Sequence, residues 1–183
     1  MTAPRILGIC GSLRTGSFNR QLLNVAVEYA REAGAEVEVY DLKAARMPWY
    51  DADVDALGPP PPVLELRDQI VRAQGMIIVS PEYNYSIPGA LKNAIDWVSR
   101  VPGRPFENKW VALMGASTGP YGTARMQPDM RKVMAGLGTY VLPAQVMLPH
   151  AQQAFTEQGA LKDPARQQEV AKLIKALVDR ARG

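Results

Sequence analysis

The sequence has one cysteine and one histidine among its 183 residues, and no apolar run in it approaches the ~18 residues of a membrane span. A single thiol, Cys10, excludes an internal disulfide. No charged start leads into a long apolar segment at the N-terminus, so no export signal is expected and a cytoplasmic location follows. Blocks of like charge are also missing. The net charge of +3 comes from dispersed Lys and Arg. The densest basic stretch, Lys172, Lys175, Arg180 and Arg182, alternates with Glu169 and Asp179, which describes a solvated helix face and not a nucleic-acid surface. Neither an internal repeat nor a composition break appears, and residues 1–183 read as one domain long enough to bury a full core.

Strand and helix patterns alternate along the chain. Residues 6–10 and 75–80 are near-continuous apolar runs, as expected of strands covered on both faces. Residues 36–40 alternate as a second strand, 110–114 form a fourth, and 139–142 with 146–148 form a fifth, interrupted near Pro143. Helical faces show at Leu22, Ala26, Tyr29, Ala30 and Ala33, and at Leu64, Ile70 and Val71 within 63–73. Another helix carries Pro88 in its first turn and buries Leu91, Ala94, Ile95 and Val98; one spans 126–135, closed by Gly136 or Gly138. The last starts at Asp163-Pro164 and turns Val170, Leu173, Ile174, Leu177 and Val178 inward. Residues 43–62 remain as a long connection. The expected architecture is α/β: a doubly wound, five-stranded parallel sheet in a single domain.

The loop after the first strand, Gly11-Ser12-Leu13-Arg14-Thr15-Gly16-Ser17, leads straight into a helix. Backbone N–H groups and the positive end of the helix dipole then face the loop, and Ser12, Thr15, Ser17 and Asn19 can add side-chain donors, with Arg14 as a forked cation. Its glycines have Walker A spacing, but the lysine that reaches a triphosphate is missing. The dinucleotide fingerprint Gly-x-Gly-x-x-Gly is absent as well, and Cys10 and Arg14 bracket three residues where a cysteine phosphatase needs five. An ordinary strand-to-helix turn rich in turn formers accounts for any one of these residues alone; hydroxyls, an amide and an Arg together favour a lone phosphomonoester such as that of FMN. Ligands of open α/β sheets sit beyond the carboxyl ends of strands, where the winding reverses. The loops after the third and fourth strands, with Pro81, Glu82, Tyr83 and Asn84 in one and Ser117 and Thr118 in the other, belong to the same candidate site.

Gly11-Ser-Leu-Arg-x-x-Ser17-x-Asn19-Arg20, Pro81-Glu-Tyr-Asn84 and Pro88-Gly-x-Leu-Lys-Asn-x-x-Asp96-Trp97 together resemble the NADPH-dependent FMN reductase family. The resemblance covers almost the whole chain and implies a flavodoxin-like fold. It implies an enzyme in which hydride passes from NADPH or NADH to the flavin and then to a quinone-like, azo or metal-oxyanion acceptor. The chemistry then resides on flavin N5 and no side chain is a catalytic nucleophile. By the same resemblance Ser12, Arg14, Ser17 and Asn19 hold the FMN phosphate, Pro81, Glu82, Tyr83 and Asn84 line the isoalloxazine, and Ser117 and Thr118 line the sugar-chain or ring side. A homodimer or homotetramer is implied, with the flavin near a subunit boundary. The family often has paired glycines after the fourth strand; Gly122-Thr123 stands there in this chain.

Other residues read as structural. Cys10 is expected to be a small buried residue in a strand. His150 lacks a second ligand type beside it and is expected to cap or pack. Asp41 reads as a loop-start residue, and Asp51, Asp53 and Asp55 as solvated charge, since the spacing of a calcium loop is absent and no metal is expected. Trp49 and Tyr50 suit a subunit interface or a substrate wall, and Glu82 suits a charge partner as well as a flavin neighbour. The rival function is a flavodoxin-type electron carrier that does not oxidise NAD(P)H itself. Flavodoxins resemble this fold but are strongly acidic, and this chain is basic. A non-redox mononucleotide-binding module is the third reading.

Overall fold

Apolar side chains alternate on the central strands and so divide the core into two layers. In the computed structural model, which describes residues 2–183, Met76 and Ile78 of β3 (Gly75–Val79) face one layer, and Ile77 and Val79 face the other. β1 (Arg5–Cys10) sends Leu7 and Ile9 to the first layer and Ile6 and Cys10 to the second. β4 (Trp110–Ala116) divides in the same way, with Val111 and Leu113 against Ala112, Met114 and Ala116. The chain runs β1, α1 (Phe18–Glu32), β2 (Glu36–Tyr40), α2 (Leu42–Ala45), α3 (Ala52–Asp55), α4 (Pro61–Arg72) and β3, then α5 (Gly89–Arg100), β4, α6 (Met126–Gly136), β5 (Tyr140–Leu148), a 3-10 turn at Ala151–Gln153, and α7 (Pro164–Ala181). All strand pairs are parallel, in the order β2-β1-β3-β4-β5. Helices α1 and α7 cover one face, and α4, α5 and α6 the other. This is the expected flavodoxin-like α/β domain, and its winding reverses between β1 and β3.

Several boundaries differ from the sequence pattern. The 43–62 connection contains two four-residue helices, α2 and α3, capped by Asp41 and Asp51, whose carboxylates accept backbone N–H bonds. One turn of helix is too short to register as a period. α4 begins at Pro61, because a missing N–H costs nothing in a first turn, and its inward face is Val63, Leu66 and Ile70, with Val71 exposed. Pro88 stands just before α5 and not inside it. β4 continues through Gly115 and Ala116, and β5 is one strand. Between the pairs Val111–Val141 and Leu113–Gln145, three residues of β5 oppose one of β4. Pro143 sits in that bulge, where no ladder N–H is needed. The carbonyls of Leu142, Pro143 and Ala144 all accept from the Arg131 guanidinium. Among the described residues no helix is long and apolar enough to cross a membrane.

Tyr40 closes β2 and donates its hydroxyl to the Pro62 carbonyl at 2.8 Å, tying the sheet edge to the start of α4. Burial, with a smaller contribution from the charge of Glu65, pushes its pKa up to about 12. The folded pKa lies above the unfolded one near 10, so the stability it confers is complete below pH ~10 and is lost as pH rises towards ~12. Tyr40→Phe should cost about 1 kcal/mol at neutral pH through the lost hydrogen bond. It should also lose less stability than the wild type between pH 9 and 11.5. Urea midpoints of both proteins across that range check this, and parallel curves would contradict it.

Candidate functional site

The loops after β1, β3 and β4 lie side by side at the carboxyl edge of the sheet. Gly11 N–H donates to the Val79 carbonyl at 2.8 Å, and Ser80 N–H to the Met114 carbonyl at 3.0 Å. A Cβ on Gly11 would stand 2.4 Å from Ser80 Oγ, and one on Gly115 would stand 2.3 Å from the Ser80 carbonyl oxygen. Both close approaches therefore depend on glycine.

Loop 11–17 is an arrangement of donors. Ser17 is the N-cap of α1 and accepts the Asn19 N–H at 3.2 Å, while Ser12 Oγ accepts the Arg14 N–H at 3.4 Å. Each buried hydroxyl thus keeps its own proton to donate. Among the described residues, no hydrogen bond takes the backbone N–H groups of Ser12, Leu13, Thr15, Gly16, Ser17 and Phe18. Unpartnered amides around one turn at a helix start form an anion cradle. The Arg14 guanidinium lies over the Phe18 ring, 5.2 Å from its centroid, with no carboxylate partner among the described residues. A second cation reaches the same loop: Lys43 Nζ donates to Thr15 Oγ1 at 2.8 Å. Sequence reasoning missed Lys43. Its only sequence signal is a basic residue just past the end of a strand next to the cradle.

Asn19 is buried, and its side chain turns to β4. Its Nδ2 donates to the Ala116 carbonyl at 2.9 Å, and its Oδ1 accepts the Ala116 N–H at 2.8 Å. The carboxamide ties the start of α1 to the end of β4.

In the third loop Tyr83 and Ser86 exchange two backbone hydrogen bonds of 3.1 Å around Asn84 (φ 48) and Tyr85 (φ 69). Two central residues in the left-handed region make this a tight hairpin turn of the primed kind. Pro81 is buried, and Tyr83, Asn84 and Tyr85 are exposed. The loop is fixed to α6 at two points. Ser86 Oγ donates to Asp129 Oδ2 at 2.6 Å, and Glu82 Oε2 accepts the N–H groups of Arg125 and Met126 at 2.9 and 3.1 Å. The carboxylate of Glu82 therefore caps α6, whose own N-cap residue offers no acceptor. The Arg125 side chain stands between the rings of Tyr85 and Tyr121, 4.5 and 5.2 Å from their centroids.

In the fourth loop the Ser117 backbone bonds to Leu148 and Ala151, and its Oγ accepts the Gly119 N–H at 3.1 Å. Thr118 is exposed at the loop tip. Gly122 has φ 59, and the buried Thr123 hydroxyl accepts from Gln127 Nε2, which also donates to the Val146 carbonyl.

The motif on α5 has a purpose that its spacing did not reveal. Asn93 Oδ1 accepts the Tyr50 N–H, Asn93 Nδ2 and Trp97 Nε1 both donate to the Pro48 carbonyl, and Lys92 pairs with Asp96. Segment 48–50 is thereby held with Tyr50 edge-on to Trp97, and Trp49 is 74% exposed beside the start of α5. Cys10 is buried with its thiol pKa pushed up by that burial, as a packing residue should be. His150 stands at the N-cap of the 3-10 turn but caps with its backbone alone: the residue is exposed and left-handed, its carbonyl accepts the Gln153 N–H, its own N–H donates to the Gly119 carbonyl, and its imidazole makes no cap bond. A cleft of about 620 Å³ lies at the opposite, amino edge of the sheet. Its Arg5, Arg72 and Arg182 face the carboxylates of Glu36, Glu38 and Asp179, so it offers no comparable demand for an anion.

Comparison with known proteins identifies the family. Residues 4–153 match the family described as NADPH-dependent FMN reductase. The chain is 43% identical to an NAD(P)H-dependent FMN reductase of Pseudomonas aeruginosa over 183 residues, covering 98% of this chain and 97% of that one. It is 44% identical to a quinone reductase of Escherichia coli over 140 residues, 75% of this chain and 73% of the other. Among solved structures, a flavoenzyme NAD(P)H:(acceptor) oxidoreductase from Paracoccus denitrificans superposes with a TM-score of 0.83 at 28% identity, with 98% of each chain covered.

Proposed function

Because the chain belongs to the NADPH-dependent FMN reductase family, we propose that the three loops hold FMN and that the protein oxidises NAD(P)H to reduce quinone-type acceptors. The observation that carries this reading is the cradle at residues 12–18, where every amide but that of Arg14 lacks a partner among the described residues and two buried hydroxyls have protons to give. It is built for a single phosphate, which suits a mononucleotide. When bound, FMN supplies the two-electron chemistry between nicotinamide and acceptor. The chain's own residues bind and position. The amides, Ser12, Ser17 and Arg14 hold the phosphate. Pro81, Tyr83 and Asn84, with the backbone of Glu82, line the ring. Ser117 and Thr118 border the sugar chain. Asn19 and the Glu82 carboxylate fix these loops to one another and to α6. No side chain is needed as a nucleophile, and Cys10 stays protonated and buried.

The finer points of the reading are a cytoplasmic location and a homodimer or homotetramer. Trp49 and Leu57, 74% and 90% exposed on the connection before α4, support an assembly that covers them.

The purified protein should be yellow and release up to one FMN per chain on denaturation. It should also consume NADH or NADPH when a benzoquinone is added. Finding FAD, or no flavin after reconstitution, would end this reading. Tight FMN with no NAD(P)H oxidation would make the protein a flavodoxin-type carrier.

A further inference from the structure

The cradle motif in the loop carries one cation, Arg14, yet the fold brings a second to the same turn. We propose that Lys43, anchored on α2 with its ammonium 2.8 Å from Thr15 Oγ1, is a second cation of the phosphomonoester site. This rests on the reading that the cradle holds FMN. The base of the side chain is fixed: Asp41 Oδ1 caps α2 through the N–H groups of Lys43 and Ala44, and Leu42 beside it is buried. The ammonium has no carboxylate partner among the described residues. The acid closest in sequence, Asp41, is committed to those two amides and stands 3.6 Å from Arg20. An ammonium has three donors, and Thr15 takes one. The other two have no partner among the described residues, most amides of the loop beside them lack one as well, and an oxyanion held by that loop would satisfy both sets. Arg14 rests against Phe18 on the α1 side, whereas Lys43 arrives from the β2 side. One cation thus belongs to the loop itself and the other reaches it from the far side of β2 in the sequence.

The test is flavin titration by fluorescence on the flavin-stripped full chain: wild type, Lys43→Met, Lys43→Arg and Thr15→Val. As a partly screened charge contact, Lys43→Met should weaken FMN roughly three- to fivefold. Riboflavin, which has the ring without the phosphate, should bind unchanged, and Lys43→Arg should restore most of the loss. FMN affinity should fall less steeply with added salt in Lys43→Met than in the wild type. Thr15→Val should weaken FMN on its own but add nothing to Lys43→Met. Unchanged FMN binding, or equal losses for FMN and riboflavin, overturns the proposal. A raised KM for NADPH with FMN binding intact also overturns it and gives Lys43 to the nicotinamide nucleotide. A wild type that takes up no FMN defeats the underlying reading instead, and that is seen before any variant is compared.

Discussion

Replacing Asn19 by Ala should destabilise the protein by about 3 kcal/mol or more, a fall of roughly 6–12 °C in melting temperature for a domain of this size, and should empty the flavin site. The size of the effect comes from the partners that Asn19 leaves behind. Its carboxamide satisfies both the N–H and the carbonyl of Ala116 at the end of β4, and the site of both bonds is buried. A lost hydrogen bond costs about 1 kcal/mol net, but each backbone group left buried without a partner costs about 1–3 kcal/mol. The same two bonds align the start of α1, and with it the amides of residues 16–18, against the fourth loop. Flavin should be lost at temperatures where the variant is still folded. Ser17→Ala is the useful contrast. It removes the N-cap acceptor and one proposed donor to the phosphate while leaving the tie to β4 intact, so it should weaken FMN but cost only about 1 kcal/mol of stability. Thermal melts with flavin release followed in parallel decide the matter. An Asn19→Ala protein that melts within a degree or two of wild type and keeps its FMN would show that the tie is dispensable.

Asn19 also shows what a sequence can and cannot reveal about such a site. The residue is legible as part of a phosphate-loop motif, yet its side chain bonds to a residue 97 positions away. Nothing local marks that partner. Glu82 behaves in the same way, standing in the flavin-facing loop while its carboxylate caps a helix 43 residues on. The strands covered on both faces were legible because burial there is continuous. β3 is buried at every position, so its apolar run needed no partner information. β5 was harder, since an edge strand with a bulge at Pro143 breaks its own pattern, and the Arg131 guanidinium that holds the bulge together comes from α6. The short helices α2 and α3 were hidden for a different reason. Their caps, Asp41 and Asp51, were visible as residues, but one turn gives periodicity nothing to detect. In the acidic cluster at 51–55 one carboxylate caps, Asp51 taking the Asp53 amide; Asp55 accepts from the Tyr50 hydroxyl at 3.5 Å, and Asp53 is exposed as solvated charge. Lys43 follows the same rule as Asn19, for its position on α2 and its contact with Thr15 both depend on the neighbouring strand order.

Arg14→Ala should weaken FMN on the order of 10- to 100-fold and leave riboflavin almost untouched. The guanidinium is the cation within the cradle loop itself, and a charge-assisted, forked contact to a phosphate contributes about 1.5–3 kcal/mol, with about 1.4 kcal/mol per decade of affinity. In this structure the group rests on the Phe18 ring at 5.2 Å and faces no carboxylate among the described residues. An exposed cation–π contact of that kind is worth only about 0.5–1 kcal/mol. Turning from the ring to a phosphate dianion therefore exchanges a weak contact for a stronger one. The fold should tolerate the change, since the Arg14 side chain is exposed and its backbone N–H still reaches Ser12 Oγ. Arg14→Lys should recover part of the lost affinity, because a point charge replaces the fork. Fluorescence titrations of both flavins against the three proteins give the comparison. A selective loss of FMN assigns the guanidinium to the phosphate. Equal losses of FMN and riboflavin would place Arg14 at the ring or in the fold, and with them the phosphate assignment of the whole loop would fall.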